Sequence, residues 1–235
     1  MSTANLVSER SPDGCALAAV RKFLDENFYP KRPGGNSYAV RYDGRDMLLR
    51  GVDVRSGNDY MDEKLLLSSD DLNRVPGKVR LELSFVNRRG GVQDGCFLRK
   101  GITATKYLFV SVFTYGDSPV VDESSIAILF VMEVSRADIL RAIAVSGDPI
   151  SYAAKTIRED WADGFVPFGH GRYGVERMDG VPERPVFLVI DHGWLKTLPS
   201  TREYSVDRDG VVPYHGNGGT DPRRRTYGSD KLKDC

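Results

Sequence analysis

Two long apolar segments, Tyr107–Phe113 and Ile126–Val134, constrain the fold more than any other part of the chain. Both are rich in β-branched and aromatic residues, and neither shows the polar alternation of a strand with one face in water. Such segments predict central strands of a sheet that is covered on both faces. A third segment, Arg184–Ile190, has the same character and predicts another buried strand.

The segments before these are typical of further strands. Val79–Val86 alternates between apolar and polar residues, as expected for a strand with one buried face. Tyr38–Tyr42 and Met47–Val54, joined by a turn at Asp43 and Gly44, predict a β-hairpin. Asp59–Leu67 suits either a short strand or the start of a helix. We expect Met47–Val54, Val79–Val86 and the two long apolar segments to form one sheet, because each carries more apolar area than a solvent-facing surface tolerates.

Helical periodicity is strongest near the beginning of the chain. From Asp13, a plausible N-cap, to Phe28, apolar residues recur at three- and four-residue steps and predict an amphipathic helix that packs on the sheet. Two more helices are predicted, one capped by Ser135 that ends near Val145, and one from Ser151 to about Trp161. This order of elements predicts a mixed α/β, or α+β, fold rather than regular βαβ alternation.

The length of 235 residues favours one domain over two. From about Asp207 onward, glycine, proline and charged residues predominate, so the sequence predicts a single domain over residues 1–206 and a loosely ordered tail over 207–235. The first ten or so residues are expected to make few long-range contacts for the same reason.

Charge and hydropathy restrict the classes of partner. The 33 basic residues equal the 33 acidic ones, so no global excess of positive charge favours binding to nucleic acid or to a membrane. A local groove that meets nucleic acid remains compatible with this balance. The N-terminal residues do not resemble a signal peptide, and the apolar runs are far below the ~20 residues that cross a bilayer. We therefore expect a cytoplasmic protein without a membrane partner.

Acidic residues concentrate within this strand-rich part of the chain. Asp53 lies near the end of an apolar segment, Asp62-Glu63-Lys64 follows after a short interval, and Glu82 lies on the alternating segment. Carboxylates from adjacent strands can hold a divalent cation such as Mg²⁺ or Mn²⁺. The cation would activate a water and neutralise charge on a phosphate, while a nearby lysine would steady the attacking water or the transition state.

This pattern resembles the restriction-endonuclease-like, or PD-(D/E)xK, nuclease superfamily, whose motif is an Asp followed at variable distance by Asp/Glu-x-Lys. The resemblance implies a metal-dependent nuclease that hydrolyses phosphodiester bonds, with nucleic acid as its partner. Two registers are possible: Asp53 with Asp62-x-Lys64, or Asp53 with Glu82, in which case Ser84 stands where the motif has lysine. Asp53, Asp62 and Glu82 are then the candidate metal ligands, and Asp53, Asp62, Lys64 and Glu82 the candidate catalytic residues. The proline of the motif is missing before Asp53.

A second resemblance covers about residues 46–190. The stretch from Asp59 to Lys64, the strand with Glu82, and the later Gly95–Leu98 and Thr105–Tyr107 are similar to a group of bacterial mobile-element and phage proteins. This resemblance implies no particular activity. It leaves open a non-catalytic, nuclease-like binding protein of a phage or mobile element.

A purely structural interpretation competes with both resemblances. Asp62-Glu63-Lys64 would then be a solvated turn or the first turn of a helix, where acidic residues are favoured. Glu82 would face water on a half-exposed strand, and the chain would be an unrelated α+β domain.

Overall fold

A computed structural model describes residues 12–33, 39–42, 50–67, 72–115, 120–145, 165–168, 171–178 and 182–214. Helices span α1 (Pro12–Asn27), α2 (Arg136–Val145) and α3 (His192–Lys196). Strands span β1 (Val40–Arg41), β2 (Val54–Ser56), β3 (Asp59–Leu66), β4 (Lys78–Val86), β5 (Val92–Asp94), β6 (Lys106–Thr114), β7 (Ile126–Ser135), β8 (Phe165–Phe168), β9 (Tyr173–Arg177), β10 (Val186–Asp191), β11 (Arg202–Val206) and β12 (Val211–Pro213).

The strands form two sheets. The larger has seven strands in the order β1-β2-β3-β6-β7-β11-β12, and the smaller has five in the order β5-β4-β10-β9-β8. In the larger sheet β3 pairs with β6 in parallel, whereas β6 with β7 and β4 with β10 are antiparallel. The fold is a mixed α+β single domain with few helices, as the order of sequence elements predicts.

The larger sheet is covered on both faces because its central strands are apolar on both sides. On β6, Leu108, Val110 and Val112 pack with α1, whereas Tyr107 and Phe109 pack with the smaller sheet. Side chains alternate across a strand, so one apolar segment supplies both cores. The prediction that Tyr107–Phe113 and Ile126–Val134 are central, doubly covered strands is confirmed.

The prediction of one sheet for four segments is wrong for β4. This strand pairs with β5 and β10 in the smaller sheet, and its Leu81 and Leu83 face β6 across the space between the sheets. The apolar face of an alternating strand is buried equally well by a neighbouring sheet or by a helix, so the pattern alone does not name its hydrogen-bonding partners. The segment Met47–Val54 also differs, because β2 begins only at Val54 and residues 43–49 lie outside the described part of the chain.

The remaining predicted elements have mixed outcomes. The first helix, the helix after Ser135 and the late buried strand are confirmed as α1, α2 and β10, and the ambiguous Asp59–Leu67 is strand β3. The helix predicted for Ser151–Trp161 lies outside the described residues. Part of the segment predicted as a tail is structured, because Val211–Pro213 pairs with β11. None of the described helices is long and apolar enough to cross a membrane.

Candidate functional site

Asp53 immediately precedes β2, and its backbone carbonyl accepts the N–H of Tyr42 at 2.9 Å. Its backbone N–H donates to the carbonyl of Met61 at 2.9 Å, which aligns the two segments. The Asp53 carboxylate, rather than a backbone carbonyl, accepts the N–H of Glu63 on β3 at 2.8 Å. The carboxylate is 4% exposed. It therefore lies at the boundary between the two faces of the larger sheet.

Strand alternation divides the Asp62-Glu63-Lys64 triplet between these two faces. Asp62 and Lys64 share the face turned towards the smaller sheet, and Lys64 Nζ lies 2.7 Å from Asp62 Oδ1. Glu63 points to the opposite face, towards α1. The prediction of a solvated turn or helix start is wrong, because the triplet is in the middle of β3 and both carboxylates are buried.

On the α1 face, Glu63 is neutralised by a dense set of donors. Its carboxylate contacts Arg21 Nε at 3.3 Å and Arg41 Nη1 at 2.8 Å, and the Tyr29 hydroxyl also donates to it. Arg21 also reaches Asp53 Oδ1 at 2.9 Å through its Nη2. This arrangement satisfies a buried carboxylate, so we assign Glu63 a structural role.

The acidic surroundings of Asp53 change its protonation. The pKa of Asp53 is raised to about 7, first by burial and then by repulsion from Asp62 and Glu63, while Arg21 and Lys64 oppose the rise. A carboxyl group with a pKa near neutrality is common where acidic groups converge on a functional site.

Lys64 is held in its charged form. Burial alone would lower the pKa of the ammonium group, but Asp62, Cys96 and Asp53 outweigh burial and raise it above its ordinary value. The side chain as a whole is 23% exposed, and its ammonium group lies against the buried Asp62 carboxylate. Lys64 is consequently a cation, not a general base, at neutral pH.

Glu82 occupies a different place from the other candidates. It lies on β4 in the smaller sheet, between Leu81 and Leu83, which face the larger sheet, so alternation directs it to the opposite side. It is 7% exposed, so it is not the solvent-facing residue of the structural interpretation. The segment at Gly95 covers it, since a Cβ atom on Gly95 would lie 2.8 Å from Glu82 Cγ. The structure thus brings together Asp53, Asp62 and Lys64. Glu82 lies on the opposite face of β4 from Leu81 and Leu83, and Cys96 interacts electrostatically with Glu82 as well as with Asp62 and Lys64.

The carboxylates of Asp53 and Asp62 fit some requirements of a divalent cation. Among the described residues, no three His, Cys, Asp or Glu side chains are arranged around a common metal position. Mg²⁺, however, is commonly bound through one or two carboxylates with water completing the shell. Asp53 and Asp62 provide two carboxylates of this kind, and their mutual repulsion is what a cation would relieve.

Comparison with known proteins identifies no family for this chain. The chain matches none of the protein-family models, curated proteins or solved structures with which it was compared.

Several residues around the site are not predicted from the sequence. Tyr107 and Cys96 both interact electrostatically with Asp62 and Lys64, and Arg136 interacts with Tyr107. Only the pairing of β3 with β6 brings Tyr107 to Asp62, and no local pattern encodes that pairing. Arg21 had a weak signal, since a basic residue beside the apolar stripe of α1 is well placed to meet an acid on the sheet.

Proposed function

We propose that this chain is a metal-dependent nuclease of the PD-(D/E)xK type that acts through Asp53, Asp62 and Lys64. The observation that carries the proposal is that Lys64 Nζ lies 2.7 Å from Asp62 Oδ1 and that both groups interact electrostatically with Asp53, which immediately precedes β2. This corresponds to the register Asp53 with Asp62-x-Lys64. A restriction-endonuclease-like arrangement of the larger sheet is part of the same proposal.

Each residue has a role that follows from its surroundings. Asp53 and Asp62 would hold Mg²⁺ or Mn²⁺, which when bound activates a water and neutralises phosphate charge. Lys64, which is charged and partly exposed, would donate a hydrogen bond to the attacking water or to the developing negative charge. Tethering by Glu63 N–H fixes the Asp53 carboxylate in place before substrate arrives.

The experiment is a cleavage assay with Mg²⁺ or Mn²⁺ on single-stranded DNA, double-stranded DNA and RNA. Asp53→Asn, Asp62→Asn and Lys64→Met should each reduce cleavage by about a hundredfold or more, a typical loss when one electrostatic contact to a transition state is removed. Glu82→Gln is the matched control, because it removes a buried carboxylate from the other sheet and should retain cleavage. Loss of cleavage in Glu82→Gln alone would support the other register instead.

A second candidate function rests on Arg21. Its guanidinium already lies 2.9 Å from Asp53 Oδ1 and supplies positive charge at the place where a cation would bind. This contact favours a non-catalytic, nuclease-like binding protein of a phage or mobile element. Wild-type protein that cleaves none of the three substrates with either metal, while remaining folded, would support this candidate and contradict the first.

A further inference from the structure

The face of β3 that carries Asp62 and Lys64 also carries Tyr60. Residues two apart on a strand leave it on the same side, so Tyr60 lies about 7 Å from Asp62 along the strand. Asp62 is 5% exposed, whereas Tyr60 is partly exposed and its partner on β2, Arg55, is exposed. This face is therefore buried at Asp62 and open to solvent beside it, at Tyr60 and Arg55.

The Arg55 guanidinium is held over the Tyr60 ring. Its Cζ lies 5.3 Å from the ring centroid, and its Nε donates to the Gly57 carbonyl at 3.0 Å in the turn between β2 and β3. The Tyr60 backbone is fixed on the side of β6, because its N–H donates to Thr105 Oγ1 at 3.0 Å and its carbonyl accepts the Thr105 N–H at 2.8 Å. Contacts within the chain therefore position both the ring and the guanidinium.

Two neighbouring features enlarge this exposed surface. Val40 on β1 is the strand partner of Arg55 and is 45% exposed. A second pair of the same composition consists of Arg50 and Tyr42, with the arginine Cζ 5.6 Å from the ring centroid. The Tyr42 N–H donates to the Asp53 carbonyl at 2.9 Å, so this pair also adjoins the proposed site. Stacked arginine and tyrosine side chains thus border the acidic residues in two places.

Exposed aromatic rings and guanidinium planes are the surfaces on which proteins stack the bases of single strands. In a duplex the bases are paired and stacked on one another, so such a surface favours single strands. We propose that the Arg55–Tyr60 pair stacks a base of single-stranded nucleic acid and so places a neighbouring phosphodiester at Asp62 and Lys64. The inference rests on the proposed nuclease function and names the substrate class of the same site.

The test measures binding separately from cleavage. Full-length protein is titrated, in EDTA, into fluorescein-labelled single-stranded DNA, single-stranded RNA and duplex DNA, and the fluorescence anisotropy is recorded. Tyr60→Leu and Arg55→Met should each weaken binding to single strands by about ten- to hundredfold, the usual effect of losing one stacked base. Tyr60→Phe keeps the ring and should bind like the wild type.

Further variants separate stacking from charge. Arg55→Lys keeps the charge without the planar guanidinium, so it should lose most of the affinity that Arg55→Met loses. Tyr115→Leu and Arg208→Met are the matched controls, because they remove an exposed ring just after the far end of β6 and an exposed guanidinium between β11 and β12. Both controls should bind single strands like the wild type. Urea denaturation confirms that each variant is folded.

The outcomes distinguish this inference from the nuclease function. Unchanged single-strand binding by Tyr60→Leu, equal losses in Tyr60→Leu and Tyr60→Phe, or no binding of single strands by the wild type would each overturn the inference. Cleavage of duplex DNA with no cleavage of single strands would overturn this inference alone. Single-strand binding that depends on Tyr60, in a protein that cleaves nothing with Mg²⁺ or Mn²⁺, would overturn only the nuclease function.

Discussion

Asp53 shows how a single residue links the two faces of the larger sheet. Its carboxylate is tied to β3 by the Glu63 N–H and to α1 by Arg21, yet burial, together with repulsion from Asp62 and Glu63, raises its pKa to about 7. A folded-state pKa above the unfolded value of about 3.9 means that the folded protein binds this proton more tightly.

The pH dependence of stability follows from this shift. As pH rises from about 4 to about 7, the folded state retains a proton that the unfolded state has released, so the contribution of Asp53 to the free energy of unfolding falls. The loss is at most about 1.4 kcal/mol per pH unit and ceases above the folded pKa. Asn does not titrate, so the Asp53→Asn variant should not show this fall in the free energy of unfolding. Urea denaturation at pH 5, 6, 7 and 8 should therefore show the wild type losing stability relative to the variant as pH rises. A difference that does not change with pH would contradict the assignment.

At the scale of elements, four charges join the turn that follows α1 to the ends of three strands. Arg32 contacts Asp59 at 2.7 Å and also Glu133, while Lys106 contacts the same two carboxylates at 2.9 Å and 2.5 Å. Arg32 and Glu133 are almost fully buried. The ring therefore fixes α1 against β3, β6 and β7 with balanced charge.

Breaking this ring should be costly. Arg32→Met leaves the buried Glu133 with one cation fewer, and we expect a loss of about 3–5 kcal/mol in the free energy of unfolding, measured by urea denaturation. Lys22→Met is the control, because the Lys22–Glu123 pair is exposed and should contribute no more than about 1 kcal/mol. The double variant Arg32→Met/Glu133→Met should regain much of the loss, since Lys106 and Asp59 remain as a pair. Additive losses would show that the two residues are not coupled.

For the whole molecule, the described structure continues beyond residue 206. β12 adds a strand to the larger sheet, and the Tyr214 ring lies 4.9 Å from the Phe130 ring. Because glycine, proline and charged residues predominate after Tyr214, we expect a chain that ends there to unfold at the same urea concentration as the full chain. A chain that ends after Val206 should unfold at a lower one, because it loses both contacts. Equal midpoints for the two truncations would show that β12 adds nothing to stability.

The sequence predicts elements that depend on local interactions, and it does not predict pairings between distant segments. Local patterns were sufficient for α1, α2, β6 and β7, whose apolar periodicity is set within each segment. Placing Asp62 and Lys64 on one face requires only that β3 be a strand. The sheet to which β4 belongs, and the meeting of Tyr107 with Asp62, depend on pairings between distant segments. No local propensity specifies these pairings.

The parallel pairing of β3 with β6 has a consequence for how the chain assembles. After β3 the backbone leaves the larger sheet, contributes β4 and β5 to the smaller one, and returns as β6; it leaves again for β8, β9 and β10 and returns as β11. Each sheet is thus built from pieces that are interrupted by the other. Neither sheet exists as a continuous stretch of chain that could be excised and fold alone. Three of the ten pairings among the described strands, β3 with β6, β4 with β10 and β7 with β11, join distant segments, and the domain should therefore fold slowly for its size.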